Sequence, residues 1–149
     1  MKSYISLIFA LIFFSSCTDD DFNFGPQNEA DILQYIKDNN LTAKKSNSGL
    51  YYIINNPGTG NQPSSTSNVT VAYKGYLLDG NVFDQSDSNG ISFSLNQVID
   101  GWTEGITYFR EGGEGVLLIP SNLGYKNKGS GPIPGGAVLV FDIKLLSIN

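Results

Sequence analysis

From Leu50 to the C-terminus the chain runs as short apolar segments, each stopped by turn residues, and one segment breaks that rhythm. Val69 to Leu78 (VTVAYKGYLL) alternates, with Val69, Val71 and Tyr73 on one face and Thr70, Ala72 and Lys74 on the other. A period of two is the signature of a strand with one buried face. Asp79-Gly80 follows it as a hairpin signal. Val138 to Leu146 (VLVFDIKLL) groups Leu139, Phe141, Ile143 and Leu145 opposite Asp142 and Lys144. Leu50 to Ile54, Ile91 to Leu95 and Val116 to Ile119 add shorter strands, and Gly58 to Asn68 is a polar loop. The exception is Gln97 to Phe109 (QVIDGWTEGITYF), where Val98, Trp102, Ile106 and Phe109 recur at helical spacing. Gly101 and Gly105 each cost such a helix about 1 kcal/mol relative to Ala, so their presence points to close packing against a sheet. Glu29 to Asn39, with Ile32, Leu33 and Ile36, reads as a second amphipathic helix that Asn39-Asn40 can end. The pattern predicts an α+β domain: a curved antiparallel β-sheet wrapped over one short α-helix, with an additional N-terminal helix outside it.

Composition narrows the chemistry. The 149 residues include no histidine and one cysteine. Histidine-based triads, histidine-ligated metals and cysteine-rich metal sites are thereby excluded, and no internal disulfide can form. Ser and Thr are plentiful but lack their usual activating base, and no set of carboxylates falls at ligand spacing. The expectation is a protein without cofactor or metal. Nine Lys and Arg stand against fourteen Asp and Glu, a net charge of −5, and Arg110 is the single arginine. Such a chain is poorly suited to phosphate backbones, so no nucleic-acid partner is expected.

The N-terminus reads as an address. Lys2 precedes the apolar run Tyr4 to Phe14, which is shorter than the ~20 residues a membrane-spanning helix needs and suits a signal peptide. Ser15-Ser16-Cys17 then sets two small residues before the lone cysteine. This resembles a bacterial lipoprotein lipobox, although Phe14 stands where leucine is usual. The resemblance implies cleavage before Cys17, acylation of Cys17, and a lipid-anchored protein of the cell envelope, with the outer membrane as the expected site. A plain secretory peptide and an uncleaved anchor are the alternatives. Asp19 to Asp21 fit either a surface-export signal or a solvated tether.

A set of rings near turns remains to be explained: Tyr73, Phe83, Phe93, Trp102, Tyr125 and Phe141. Taken singly each is a core residue, and Asp84, directly after Phe83, reads as a turn or cap carboxylate.

Their surroundings carry a resemblance. V-x-V-x-Y-x-G-x-L-x-D-G runs from Val69 to Gly80, and V-F-D-x-S from Val82 to Ser86. V-I-x-G-W-x-E-G-I follows from Val98 to Ile106, G-x-G-V-L-L-I-P from Gly113 to Pro120, L-G-Y from Leu123 to Tyr125, and L-V-F-D-I-x-L-L from Leu139 to Leu146. These strings, in order and near-correct spacing, resemble the FK506-binding-protein (FKBP) type of peptidyl-prolyl cis–trans isomerase. Ser48 to Ile54 and Pro57 to Gly60 extend the likeness in the style of bacterial lipoprotein members.

The resemblance implies a proline pocket floored by Trp102 and walled by Tyr73, Phe83, Phe93 and Phe141, with Val98 and Ile99 beside them. It implies that the Ile99 N–H and the Tyr125 hydroxyl hold substrate carbonyls, that Asp84 sits at the pocket edge, and that Ile133 belongs to a covering loop. Asn89 stands where many relatives carry an arginine paired with that aspartate. Lys126 replaces a glycine usual after the tyrosine, and the Pro132 to Gly136 run is altered. The implied partners are proline-containing polypeptides and macrolide inhibitors, and the implied activity is X–Pro bond rotation in exported proteins. A non-catalytic module that grips proline segments is the alternative. The expected division is a signal peptide at 1–16, an acidic tether at 17–28, an N-terminal helical extension at 29–48 and the isomerase-type domain at 49–149.

Overall fold

The computed structural model describes residues 22–149. The signal peptide, Cys17 and the acidic run Asp19 to Asp21 lie outside the described residues.

Seven strands form one antiparallel sheet: β1 (Lys44–Lys45), β2 (Tyr51–Asn56), β3 (Asn68–Leu77), β4 (Val82–Gln85), β5 (Ile91–Ser94), β6 (Glu114–Ile119) and β7 (Leu139–Ile148). Their order is β1-β2-β6-β7-β3-β4, with β5 also paired to β3. The two longest strands, β3 and β7, are neighbours at the centre. Both carry the alternation read from the sequence. The Asp79-Gly80 turn joins β3 to β4. Gly80 takes a positive φ of 90°, the Asp79 carboxylate accepts the Asn81 N–H at 2.9 Å, and the Leu77 N–H donates to the Asn81 carbonyl at 3.0 Å.

One face of the sheet wraps the helix α2 (Asp100–Gly105), which continues as a 3₁₀ turn over Ile106–Tyr108. Val69, Val71, Leu117, Ile119, Leu139, Phe141, Ile143 and Leu145 meet Trp102, Ile106 and Phe109 there. The regular helix is shorter than the Gln97–Phe109 pattern suggests. Its start is delayed by a 3₁₀ turn at Leu95–Gln97 and by Ile99, held extended at φ −58° and ψ 147°. The glycines behave as the spacing implies. A Cβ on Gly101 would lie 2.6 Å from the Ile119 side chain, and one on Gly105 2.6 Å from Leu117. The helix backbone therefore rests directly on the sheet.

The opposite face is covered by α1 (Gly25–Asp38). Ile32, fully buried, packs there with Tyr51, Leu118, Val138 and Val140, and Tyr35 and Ile36 border them. This layer explains why Val138, just before β7, and Val140 within it are buried as well as the inner stripe. Two features of α1 differ from the sequence pattern. It begins at Gly25, inside the segment expected to be tether, because Pro26 sits in the first turn, where its missing N–H costs nothing. Leu33, expected on the apolar face, is exposed; the buried stripe is Asn28, Ile32 and the partly buried Tyr35 and Ile36. Asn39 and Asn40 do end the helix. Asn40 adopts φ 51°, and the Leu41 N–H returns to the Ile36 carbonyl at 2.9 Å. A Lys45–Glu29 ion pair and a 3.0 Å bond from the Tyr51 hydroxyl to Glu29 tie α1 to the sheet edge.

Candidate functional site

A cavity of about 660 Å³ opens between α2, the inner sheet face and the loop before β7. All ten pocket residues expected from the sequence line it: Tyr73, Phe83, Asp84, Phe93, Val98, Ile99, Trp102, Tyr125, Ile133 and Phe141. Cys17, expected for lipid attachment, lies outside the described residues.

Each is delivered by a distinct piece of the fold. Trp102 comes from the first turn of α2 and is only 6% exposed. Its ring meets Tyr73 edge-on at 4.9 Å and 82°, Phe141 at 5.1 Å and 76°, and Phe93 at a 5.1 Å tilt. The two edge-to-face contacts, to Tyr73 and Phe141, have the favoured geometry for aromatic quadrupoles, worth about 0.5–1.5 kcal/mol per pair beyond area burial. The rings therefore hold one another in place. The Trp102 indole N–H is buried without a hydrogen-bond partner among the described residues. Val98 and Ile99 enter from the extended step between the 3₁₀ turn and α2, where the Ile99 carbonyl accepts the Trp102 and Thr103 amides at 2.9 and 3.1 Å.

The β3–β4 hairpin sets the opposite wall through a bulge. Register runs from Gly75 opposite Asp84 to Tyr76 opposite Val82, so Phe83 is an extra residue on β4. Side chains of neighbouring strand residues normally point to opposite faces. A bulge breaks that alternation and re-aims a side chain, and here both Phe83 and Asp84 reach the cavity. Gly75 is also opposite Phe141 on β7. A Cβ on Gly75 would lie 2.6 Å from the Phe141 ring and 2.7 Å from that of Phe83, which meet each other at 5.4 Å and 85°. The missing side chain is the space those two rings occupy.

The site has one internal polar pair. The Tyr73 hydroxyl donates to Asp84 Oδ2 at 2.6 Å. Burial, then the accepting and negative Asp84, push the Tyr73 phenol far above its ordinary range, so it stays a donor. Asp84 itself is exposed at the rim. Asn89 does not complete this pair; its own N–H donates to Asp87 Oδ1 at 2.9 Å. Tyr125 is 37% exposed at the mouth, and Ile133 is buried in the loop that closes one side.

Five lining residues escaped sequence reasoning: Ile91, Gln97, Ser130, Gly131 and Pro132. Pro132 lay within the altered loop run, and an isolated antiparallel bridge between Ser130 and Ile133 folds that loop inward. The other residues carried no local signal.

Comparison with known proteins bears on this geometry. The family model for FKBP-type peptidyl-prolyl cis-trans isomerase matches residues 59–146. The probable FKBP-type peptidyl-prolyl cis-trans isomerase FkpA of Neisseria meningitidis serogroup B is 50% identical over 109 residues, covering 71% of this chain and 40% of that protein. FkpA of Escherichia coli K12 is 43% identical over 108 residues, with the same coverages of 71% and 40%. The chain thus spans about 40% of the length of these curated relatives. Among solved structures, FkpA from Escherichia coli aligns with a TM-score of 0.75 at 38% identity over 84% of this chain and 61% of its own. A peptidyl-prolyl cis-trans isomerase from Pseudomonas syringae pv. tomato aligns with a TM-score of 0.72 at 31% identity over 87% of this chain and 98% of its own. The chain belongs to the FKBP-type peptidyl-prolyl cis-trans isomerase family.

Proposed function

We propose that the cavity binds a prolyl residue and accelerates rotation of the X–Pro bond before it, in exported proteins. The observation that carries this reading is the ring-lined hollow: Trp102, Tyr73, Phe93, Phe83 and Phe141 converge on one cavity, with a polar rim at Asp84 and Tyr125.

The chemistry needs no reactive group. Rotation about the peptide bond is opposed by ~18–20 kcal/mol because the nitrogen lone pair is delocalised into the carbonyl. In the twisted form that delocalisation is lost, and the amide is less dipolar and needs less solvation. A water-poor aromatic cavity then favours the twisted amide over either planar isomer, which is differential binding of the transition state. Each ~1.4 kcal/mol gained in this way is tenfold in rate. The pyrrolidine ring seats on Trp102. The Tyr125 hydroxyl at the mouth and the Ile99 N–H hold the flanking carbonyls, so one side of the bond is fixed while the other turns. The Tyr73 hydroxyl holds the Asp84 carboxylate at the cavity edge, where its charge acts on the bound amide. Macrolides that mimic a prolyl segment occupy the same hollow.

The cellular setting in this reading is the envelope. Lys2, the Tyr4 to Phe14 run and Ser15-Ser16-Cys17 support cleavage before Cys17 and lipid attachment there. Uncatalysed prolyl isomerisation takes tens of seconds to minutes and limits folding of exported chains, and its acceleration requires no nucleotide.

A protease-coupled assay on an Xaa-Pro peptide tests the reading. The expected result is a cis-to-trans rate that rises in proportion to added protein and falls on addition of a macrolide. A rate equal to the uncatalysed one, with the peptide nevertheless bound, would leave a binding module and overturn the isomerase.

A further inference from the structure

The loop that brings Tyr125 and Ile133 to the cavity spans Ser121 to Gly136. Its interior is knitted by backbone bonds: Lys126 N–H to the Ser121 carbonyl at 2.8 Å, Gly136 N–H to the Lys126 carbonyl at 2.7 Å, and the reciprocal Ser130–Ile133 pair at 2.9 Å. These bonds shape the loop but do not fix it to the rest of the molecule. Ile133 and Leu123 pack into the inner core, and the polar attachment of the loop's two ends comes from the first turn of α1, on the far face of the sheet.

Asn28 is 2% exposed and is one of two buried polar residues among the described residues. Its Oδ1 accepts the Ser121 N–H at 2.7 Å, and its Nδ2 donates to the Gly136 carbonyl at 2.9 Å. The two partners are the two ends of the loop, 93 and 108 residues away in sequence. One carboxamide thus spans both hinges and satisfies a donor on one and an acceptor on the other. Phe24, a turn earlier, lies under the same hinge: a Cβ on Gly136 would fall 2.4 Å from its ring. Outside the hinge, Asn127 Nδ2 donates to the Phe22 carbonyl at 3.2 Å. A buried polar side chain without partners costs free energy, so its conformation is tightly specified once both bonds are made.

We propose that Asn28 is a positioning residue for the cavity: by setting the spacing of Ser121 and Gly136 it holds Tyr125 and Ile133 in their binding arrangement, and makes α1 part of the substrate site. This rests on the reading that the cavity binds prolyl segments. With Asn28 replaced by Ala, the Ser121 N–H and the Gly136 carbonyl lose their buried partner. The loop then samples other arrangements, and a bound peptide must re-order it. That cost falls on binding, so KM rises while kcat changes little.

The test uses the whole chain and three readouts. The first is amide hydrogen exchange at Ser130, Ile133 and Gly136 without ligand. The second is peptide affinity from the fluorescence of Trp102, the chain's single tryptophan. The third is the split of KM and kcat in the peptide assay. In Asn28→Ala, exchange at those amides accelerates, and affinity and KM each weaken about tenfold, the size expected for orphaned buried groups. Ile36→Ala, which loosens α1 away from the loop, lowers the melting temperature and leaves affinity within about twofold. Should Asn28→Ala fail to fold, Asn28→Gln keeps donor and acceptor on a longer stem and shows the same changes in smaller measure. Unaltered loop exchange in a folded Asn28 variant overturns the proposal, as does equal weakening in Ile36→Ala. The exchange readout needs no substrate, so it decides this proposal even where an inactive wild type sinks the isomerase reading.

Discussion

Tyr73 and Asp84 sit diagonally across the β3–β4 ladder, with Gly75 directly opposite Asp84, and their side chains join in a 2.6 Å hydrogen bond at the edge of the cavity. Tyr73 also touches the Trp102 ring edge-on. The one polar pair of the pocket is therefore built onto its aromatic floor. Among the described residues the Asp84 carboxylate is held by a neutral phenol rather than by a cation, so its negative charge stands unpaired at the cavity rim.

Disrupting this pair is expected to lower turnover more than stability, since Asp84 is exposed and Tyr73 keeps its ring contacts in Tyr73→Phe. Tyr73→Phe and Asp84→Ala are each expected to reduce kcat/KM by about 1 kcal/mol of transition-state stabilisation, roughly fivefold. Because the two groups act through one bond, the double variant is expected to lose little more than either single one, a coupling of about 1 kcal/mol. Additive losses in the peptide assay would show that the bond is idle in catalysis.

The pH profile follows from the same pair. Burial, and then Asp84, push the Tyr73 phenol far above its ordinary value of about 10. A raised value keeps the protonated donor present throughout the neutral and mildly alkaline range, and the chain has no histidine to titrate there. Catalysis on a neutral peptide is therefore expected to be flat between about pH 6.5 and 9. An alkaline decline inside that window, absent from Tyr73→Phe, would mean that this phenol ionises in the folded protein.

Gly75 is the third element of that wall. Gly75→Ala places a methyl group 2.6 to 2.8 Å from the Phe141 and Phe83 rings. Neither ring can retreat without spoiling its contacts with Trp102 or with its neighbour. The variant is expected to lose about 1–3 kcal/mol of stability by overpacking and to bind peptide more weakly, as seen in a thermal melt and in Trp102 fluorescence. Wild-type affinity would show that the rings have room the contact distances deny.

Much of the framework was legible in the sequence because its signals are local. The alternation in β3 and β7 reports a period of two, and Gly101 and Gly105 report how closely α2 approaches the sheet. The pocket rings could be proposed only through the resemblance, since periodicity alone makes Trp102 or Phe141 a core residue. What stayed hidden depends on long-range pairing. The bulge at Phe83 exists only in the register of β4 on β3. Asn28 looks like an ordinary polar residue before an amphipathic stretch until its partners at Ser121 and Gly136 are brought to it. Leu33 faces solvent because the buried stripe of α1 runs through Asn28 and Ile32, and Asn28, a polar residue one turn before the apolar pattern starts, gives no hydrophobic signal.

Attachment to the membrane has its own test. Cys17→Ala removes the only thiol of the chain. If acyl chains on that residue hold the protein, each buried CH₂ contributing about 0.8 kcal/mol, the variant moves from the membrane fraction to the soluble fraction. A Cys17→Ala protein that still sediments with membranes would leave the uncleaved apolar run as the anchor.

Tyr108 contributes to stability at both pH extremes: its hydroxyl donates to Glu104 Oε1 at 2.7 Å while its ring stacks on Tyr52 at 4.2 Å. Burial first, then Glu104, push the Tyr108 phenol up to about 12. A folded value above the unfolded one of about 10 gives stability that is complete below pH 10 and lost as pH rises through 12. Tyr73 and Tyr76 are shifted in the same direction, so the wild type is expected to weaken steeply on the alkaline side. Glu104 behaves oppositely. Its burial opposes ionisation, but bonds from Ser48, Ser46 and Tyr108 outweigh it and lower its value. That contribution is present above the unfolded carboxyl value of about 4.3 and is lost as pH falls through the folded one. Tyr108→Phe keeps the stacking ring and removes the shared bond. It should therefore flatten both limbs of the melting temperature against pH while costing some stability between them. A variant that flattened neither limb would place the titrations that matter elsewhere in the fold.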